Sequence, residues 1–256
     1  SLSFSSAASD VYKGQTTIKS GPQGNEVKGA ELHLWEKIKA KSSKGRRTGV
    51  GITAEGDMIA AMGLRYGTQE ATDFSVSVHK TLALTAYASS VEMAGERGAF
   101  PVYDSKREEN NPFILRIKKA EPALYEQMVK CGRRNIACLT IAPTGTTSLM
   151  TQTTSGIEPV FMPVYKRRRK VNPNDTSVHV DYVDEVGDSF EEYIVDHHEF
   201  LVWMRVNGID SEKRYTREEV DALVGQSPYY KGTGNDVDWL MKGRMQGAIQ
   251  KWVDHR

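Results

Sequence analysis

The chain has 256 residues, with 34 Lys and Arg against 33 Asp and Glu, so its formal net charge is +1 at neutral pH. This balance excludes a strongly basic nucleic-acid-wrapping protein and an acidic disordered tail. The 39% of hydrophobic residues is enough for the core of one large domain or two small ones. No apolar run approaches the roughly 18 residues of a membrane helix, and the start does not resemble a signal peptide. We therefore expect a cytoplasmic protein without a membrane partner.

The first predicted elements are short and separated by glycines. Residues 1–25 are rich in Ser, Gly, Thr and Lys and are predicted as a loop, a linker or a remnant of cloning. From Val27 to Lys41 apolar residues recur at helical spacing, which predicts a helix that ends in the Gly-rich segment 45–49. Val50 to Thr53 is a strand candidate, and a short helix is predicted from Gly56 to Gly63.

A long helix and a buried strand are predicted in the middle of the chain. The helix runs from Thr72 to Gly98, because apolar residues recur mostly at i, i+4. An amphipathic stretch from Phe113 to Val129 follows and is interrupted by Pro122. Asn135 to Ala142 is short and apolar on both faces, which predicts a central strand.

The last part of the chain is predicted to be mostly helical, with a turn at Asn172 to Asp175. The predicted elements are one strand and three helices, over residues 160–165, 189–207, 216–224 and 237–253.

The predicted central strand is followed at once by a hydroxyl-rich turn, Pro143-Thr144-Gly145-Thr146-Thr147-Ser148, which opens a predicted helix. Free N–H groups at a helix start point outward and the helix dipole favours negative charge there, so such a turn can bind an anion. Gly145 lets a phosphate approach the backbone closely. The turn has no Lys and is not a Walker A loop, which favours holding a phosphate over transferring one. The alternative is a Thr or Ser helix cap with no ligand.

Other charged clusters support weaker hypotheses. The basic run Lys166 to Lys170 could contact a phosphodiester backbone, but the balanced net charge favours a solvated strand end or loop. His197 and His198 are predicted on one helix, where adjacent side chains diverge and cannot easily share a metal ion.

Two acidic pairs precede or open predicted helices. Glu55 and Asp57 could be catalytic carboxylates, although helix capping is the favoured interpretation. Asp236 and Asp238 are interpreted as N-terminal charges of the last helix. The sequence shows no Ser-His-Asp order and no paired-acid signature.

The only two cysteines are Cys131 and Cys138. This number excludes a disulfide-rich secreted scaffold and a four-cysteine zinc site. Cys138 lies in an apolar run and is interpreted as a buried packing residue. Cys131 is expected at the surface, and no neighbour marks it as a nucleophile.

Several segments together resemble the large catalytic chain of ribonucleotide reductases, and in particular the class II enzymes, which depend on adenosylcobalamin (vitamin B12). The segments are Gly45–Asp57, Arg133–Ser148, Thr154–Phe161, Phe161–Asn174, Asp236–Met241 and Gln246–His255. Their order and spacing agree with the family from about Glu26 onward. Residues 26–256 are therefore predicted to form part of the catalytic barrel domain, and residues 1–25 stay unassigned.

The resemblance implies an α/β fold, in which this chain forms part of a ten-stranded α/β barrel with surrounding helices. It implies reduction of ribonucleotides to 2′-deoxyribonucleotides by thiyl-radical chemistry, with adenosylcobalamin as the cofactor. The implied partners are a ribonucleoside di- or triphosphate substrate and, for the full chain, a thioredoxin-like reductant and a second copy in a homo-oligomer. The site for the substrate phosphates falls on Pro143, Thr144, Gly145, Thr146, Thr147 and Ser148.

The sequence also departs from the family. The Asn-x-Cys-x-Glu motif of the thiyl cysteine is absent, and so are the reducing cysteine pair and the C-terminal shuttle cysteines. We therefore assign no catalytic residue, and we expect an internal piece of the catalytic chain that is inactive alone. The alternatives are a class I large-subunit fragment and a stand-alone nucleotide- or phosphate-binding module without redox activity. A nucleic-acid-binding protein that uses Lys166 to Lys170 is the weakest hypothesis.

Overall fold

A computed structural model describes residues 26–172 and 174–254. The predicted linker 1–25, Pro173 of the predicted turn and His255 of the last family-like segment lie outside these ranges. The chain divides into two compact units. Of the described residues, unit 1 contains 26–51, 76–141 and 247–254, and unit 2 contains 52–75, 142–172 and 174–246.

Helices make up about half of the described residues. The α-helices are α1 (Glu26–Gly45), α2 (Glu55–Ala61), α3 (Gln69–Arg97), α4 (Pro112–Ala120), α5 (Pro122–Cys131), α6 (Gly145–Thr151), α7 (His198–Val206), α8 (Arg217–Gln226) and α9 (Trp239–Ile249). Short 3₁₀ helices cover Ser105–Glu108 and Gln250–Trp252. The strands are β1 (Val164–Lys170), β2 (Tyr182–Val183) and β3 (Ser189–Asp196).

Most of the predicted helices are confirmed, with ends shifted by a few residues. The amphipathic stretch 113–129 forms α4 and α5, and Pro122 is the first residue of α5, where its fixed φ suits a helix start. α8 begins with a capping box, in which Thr216 Oγ1 accepts from Glu219 N and the Glu219 carboxylate accepts from Thr216 N.

The predicted helix over residues 189–207 is wrong in its first half. Ser189–Asp196 is strand β3, which pairs antiparallel with β1 on one side and β2 on the other. Only His198–Val206, α7, is helical. The strand predicted at 160–165 is displaced as well, since β1 begins at Val164 and continues through the basic run.

Pairing of opposite charges across the strands explains the strand at 189–196. The Glu192 carboxylate accepts hydrogen bonds from Lys166 Nζ at 2.9 Å and from Arg168 Nε at 2.6 Å. The Glu191 carboxylate accepts from Arg169 Nη2 at 2.6 Å. Such cross-strand pairs form only in the sheet, so they favour a strand over the helix that local spacing suggested.

The segment predicted as a central strand makes one isolated parallel bridge, between Val50 and Leu139. Val50 N donates to Cys138 O at 2.8 Å, and Thr140 N donates to Val50 O at 2.9 Å. A barrel strand needs a neighbour along its length on both sides. The described residues therefore show helices, a three-stranded sheet and one parallel bridge, and not a ten-stranded barrel.

The core of unit 2 lies between α2, α7 and the segment that carries Tyr229. Phe200 is buried and its ring stacks on Trp203, with ring centroids 5.6 Å apart. The Tyr229 ring meets Phe200 edge-on at 6.2 Å. The buried members of this cluster are Ala60, Val160, Phe200, Met204 and Tyr229. Packing in this cluster fixes the position of α2 relative to α7.

Unit 1 contains a buried ion pair at Arg133, whose side chain is 2% exposed. The guanidinium makes a bidentate pair with Glu108, with Arg133 Nη2 2.6 Å from Glu108 Oε1 and a second bond from Nη1 to Oε2. It also lies 5.4 Å from the ring centres of Tyr87 and Phe100. The pair and the ring contacts offset the loss of hydration of the cation.

Removing the counter-charge of Arg133 should destabilise the protein strongly. We expect Glu108→Gln to lower the free energy of unfolding by about 3 kcal/mol, because it leaves a buried guanidinium without its carboxylate. The matched control is Glu109→Gln, an exposed neighbour, which should change it by less than about 0.5 kcal/mol. Urea unfolding of both variants measures this, and equal midpoints would contradict the assigned role of the pair.

Candidate functional site

The hydroxyl-rich turn 143–148 lies in unit 2, and Gly145 is the first residue of α6. Gly145, Thr146 and Thr147 are exposed, whereas Ser148 is buried. A Cβ atom placed on Gly145 would meet nothing within 4 Å. The first N–H groups of a helix have no acceptor within the helix, so this turn presents open backbone to solvent.

Thr144, directly before α6, does not act as a side-chain cap of this helix. Its backbone is left-handed, with φ 51° and ψ 27°, which is rare for a β-branched residue. Its Oγ1 accepts a hydrogen bond from the buried Gly156 N at 2.8 Å and lies 2.9 Å from Thr53 Oγ1. The helix-cap alternative is therefore wrong at Thr144, because its hydroxyl bonds to Gly156 N and Thr53 Oγ1 rather than to an N–H group of α6.

A second hydroxyl-rich segment, residues 153–156, is hydrogen-bonded to the turn. Ser155 Oγ is 2.7 Å from Ser148 Oγ, which also donates to Gly145 O at 2.9 Å. Gly156 has φ +48°, and a Cβ there would lie 2.8 Å from Ala142 O. Only glycine fits this position without a shift of the backbone. Residues 154–156 begin the family-like segment Thr154–Phe161, and their contact with the turn was not predicted from the sequence.

The Asp57 carboxylate is buried and fully engaged, with its side chain 8% exposed. Its Oδ1 lies 2.6 Å from His197 Nε2 and accepts from Tyr229 Oη at 3.0 Å. Its Oδ2 accepts from Thr154 N at 2.7 Å. Burial and the adjacent Asp57 carboxylate raise the pKa of Tyr229, so its phenol stays protonated and acts as a donor.

Glu55, the other candidate carboxylate, is completely buried and accepts a hydrogen bond from the Ser75 hydroxyl. Both acids lie in the first turn of α2, as the capping interpretation requires, but their carboxylates accept hydrogen bonds from residues of other segments. Glu55 is closed to solvent, whereas Asp57 lines a cavity beside α7 and has donors on both of its carboxylate oxygens.

The histidine pair lies at a junction rather than in the middle of a helix. His197 is the residue between β3 and α7, and His198 is the first residue of α7. Among residues 26–172 and 174–254, no group of three or more His, Cys, Asp or Glu side chains could hold a metal ion. The contact of His197 with Asp57 was not predicted, because 140 residues separate the two.

Comparison with known proteins identifies the family. The model of the ribonucleotide reductase barrel domain matches residues 26–255. The chain belongs to the ribonucleotide reductase family. This confirms the resemblance seen in the sequence, and the hydroxyl-rich turn lies within the matched range.

Similar proteins carry two kinds of reductase name. A vitamin B12-dependent ribonucleoside-diphosphate reductase of Mycobacterium tuberculosis is 32% identical over 122 residues, which are 48% of this chain and 15% of that protein. One of the same name from Thermoplasma acidophilum is 27% identical over 132 residues, 52% of this chain and 15% of that protein. A ribonucleoside-diphosphate reductase subunit alpha of Helicobacter pylori is 24% identical over 141 residues, 49% and 18% of the respective lengths. The chain thus spans less than a fifth of each relative.

The other candidates in this reductase-family chain have structural roles. The basic run is exposed in β1 and paired with acids of β3, which confirms its interpretation as a solvated strand. Asp238 Oδ1 accepts from Leu240 N at 2.6 Å, at the start of α9, as predicted. Asp236 instead accepts from the Thr233 hydroxyl at 2.7 Å.

Both cysteine predictions are confirmed. Cys131 is exposed and Cys138 is buried. Burial, together with the nearby Asp254 carboxylate, raises the pKa of the Cys138 thiol to about 12. A thiol that stays protonated at neutral pH is a poor nucleophile. Within the described residues, helices long and apolar enough to cross a membrane are also lacking.

The support of the turn by Thr144 can be tested through stability. We expect Thr144→Val to lower the free energy of unfolding by about 1–3 kcal/mol, because the buried Gly156 N–H loses its acceptor. Thr144→Ser keeps the hydroxyl and should retain most of the stability. Thr146→Val, the same change at an exposed position, should cost less than about 0.5 kcal/mol. Urea unfolding compares the three, and equal losses in Thr144→Val and Thr144→Ser would refute the role of the hydroxyl.

Proposed function

We propose that this chain is part of a reductase that converts ribonucleotides to 2′-deoxyribonucleotides, and that the turn 143–148 binds the phosphates of the substrate. Family membership and the names of the relatives support the reaction. The observation that carries the binding site is the open backbone at Gly145, where a Cβ would meet nothing within 4 Å, while the hydroxyl of Thr144 is bonded to the backbone behind the turn.

The chemistry of the turn suits a diphosphate. N–H groups at the start of α6 and the exposed hydroxyls of Thr146 and Thr147 are hydrogen-bond donors, and the helix dipole adds positive potential. The turn has no Lys or Arg, so it would hold phosphate oxygens by directed hydrogen bonds rather than by a mobile charge. Its contribution to the reaction would be positioning of the ribose.

We also propose a class II reductase that depends on adenosylcobalamin, because two of the relatives are named vitamin B12-dependent. That cofactor initiates the thiyl-radical chemistry in class II enzymes. Of the two cysteines of this chain, Cys138 is buried and Cys131 is exposed, and no described residue is assigned to bind the cofactor. A class I-type reductase is the second candidate, because other relatives are named subunit alpha without a cofactor.

Three further features belong to this proposal. Residues 26–256 would form part of a ten-stranded α/β barrel, in which the bridge between Val50 and Leu139 is one point of parallel strand pairing. A thioredoxin-like protein would supply electrons to the full chain. A ribonucleoside diphosphate is the favoured substrate, because the relatives are named ribonucleoside-diphosphate reductases.

A single substitution tests the phosphate site. We expect Gly145→Asp to weaken binding of CDP about 100-fold, because the carboxylate repels the diphosphate and blocks its approach. Gly243→Asp is the matched control: Gly243 is an exposed helical glycine of the same unit, also with nothing within 4 Å of an added Cβ. Calorimetric titration with CDP measures the affinity of the unchanged protein and of both variants. Unchanged affinity in Gly145→Asp would rule out the assignment of the site.

The class assignment has a separate test. We expect a complete reductase that contains this chain to form dCDP from CDP only when adenosylcobalamin and a dithiol reductant are supplied. Chromatography of the nucleotide products measures this. Activity without cobalamin that requires a separate radical-generating subunit would instead establish the class I-type alternative.

A further inference from the structure

A cluster of hydrogen-bonded residues is connected to the turn through Thr154 and Thr53. This cluster, called the Asp57 cluster below, consists of Asp57, Thr154, His197 and Tyr229. We propose that Asp57 is a positioning residue for the turn 143–148, held by His197 and Tyr229 and acting through Thr154. The inference rests on the proposed phosphate-binding function of this turn.

The first step is the fixation of the carboxylate itself. Three donors converge on Asp57: His197 Nε2 at 2.6 Å, Tyr229 Oη at 3.0 Å and Thr154 N at 2.7 Å. They come from three segments that are distant in sequence. A buried carboxylate keeps such bonds, because separation would leave charged or polar groups unpaired away from water. The carboxylate therefore has one well-defined position.

The second step is the reciprocal pairing of Asp57 with Thr154. The carboxylate accepts from Thr154 N, and Thr154 Oγ1 accepts from Asp57 N at 3.3 Å. Two bonds between the same residues fix the orientation as well as the distance. The backbones approach closely here, since a Cβ on Gly56 would lie 2.5 Å from Glu158 O. The position of Asp57 thus determines that of the segment 154–156.

The third step leads from Thr154 to the turn. Thr53 Oγ1 donates to Thr154 O at 3.2 Å, so its hydroxyl hydrogen is used there and it accepts from Thr144 Oγ1, 2.9 Å away. Gly156 N donates to the same Thr144 oxygen at 2.8 Å. Thr144 is thereby held in its left-handed conformation by its hydrogen bonds with Thr53 Oγ1 and Gly156 N. Its backbone angles set the direction of the N–H groups that follow.

The whole sequence of contacts lies within unit 2. Loss of a donor to Asp57 should therefore loosen Thr154 and then Thr144, and misalign the donors for phosphate. It should leave recognition of the base and ribose unchanged. A purely structural role would instead lower the affinity for all parts of the nucleotide together with stability.

The experiment compares binding of CDP and cytidine to the full chain by equilibrium dialysis. The dissociation constant of cytidine divided by that of CDP isolates the contribution of the phosphates to binding. We expect Asp57→Asn and His197→Phe each to reduce this ratio about tenfold, a typical size for coupling through positioning residues. His197→Gln places an amide N–H near the position of Nε2 and should restore the ratio to within about threefold of the original.

The matched control is Glu199→Gln. Glu199 is close enough to contribute to the raised pKa of Tyr229, but among the described residues it shares no hydrogen bond with the Asp57 cluster. Its substitution removes the same charge as Asp57→Asn and should leave the ratio unchanged.

The possible outcomes separate the inference from the proposed function. If Gly145→Asp abolishes CDP binding while His197→Phe leaves the ratio unchanged, the positioning role is wrong and the phosphate site stands. If CDP and cytidine affinities fall equally in Asp57→Asn and His197→Phe, the cluster is only structural and the inference is overturned. If Gly145→Asp also has no effect, the proposed function itself fails.

Discussion

The hydrogen bonding of the Asp57 carboxylate is the interaction on which the arrangement of unit 2 depends. A carboxylate removed from water is costly unless donors replace its hydration, and Asp57 receives donors from Thr154, His197 and Tyr229. These residues belong to a loop, to the β3–α7 junction and to the segment before α9. The loop, the junction and α2 therefore cannot move apart without exposing unpaired donors, and the conformation of the turn follows from their fixed positions.

Unit 1 satisfies the same constraint with the opposite charge. The Arg133 guanidinium is buried beside aromatic rings and neutralised by Glu108, and its Nε donates to Asn135 O at 3.0 Å. Asn135 in turn accepts from Ser90 Oγ at 2.9 Å. In each unit, a buried ionisable side chain and its partners hold a segment that has no regular strand ladder. Side-chain hydrogen bonds take the place of backbone pairing there.

The sequence predicts the features that depend on neighbouring residues and misses those that depend on distant ones. The break at Pro122, the helix that begins near Thr216 and the hydroxyl-rich turn are local, and each was located from the sequence. The strand β3 could not, because its acidic residues favour a strand only when they face the basic run of β1. The Asp57 cluster could not either, since Tyr229 is 172 residues from Asp57 and no local pattern links them.

One physical requirement, a fixed direction of the backbone N–H groups, accounts for both the lack of a lysine in the turn and the buried residues that are bonded to it. A lysine binds phosphate as a point charge on a flexible stem, so it contributes affinity but little orientation. Backbone N–H groups have fixed directions, but only if the backbone that carries them is rigid. Thr144, in a conformation that is unfavourable for threonine, supplies this rigidity only while Thr53 and Gly156 hold its hydroxyl. The proposed radical reaction at the ribose would depend on accurate placement of the sugar. The proposed binding of phosphate oxygens by oriented donors, in a turn connected to the hydrogen-bonded Asp57 carboxylate, would meet this requirement in a way that a more flexible cationic site would not.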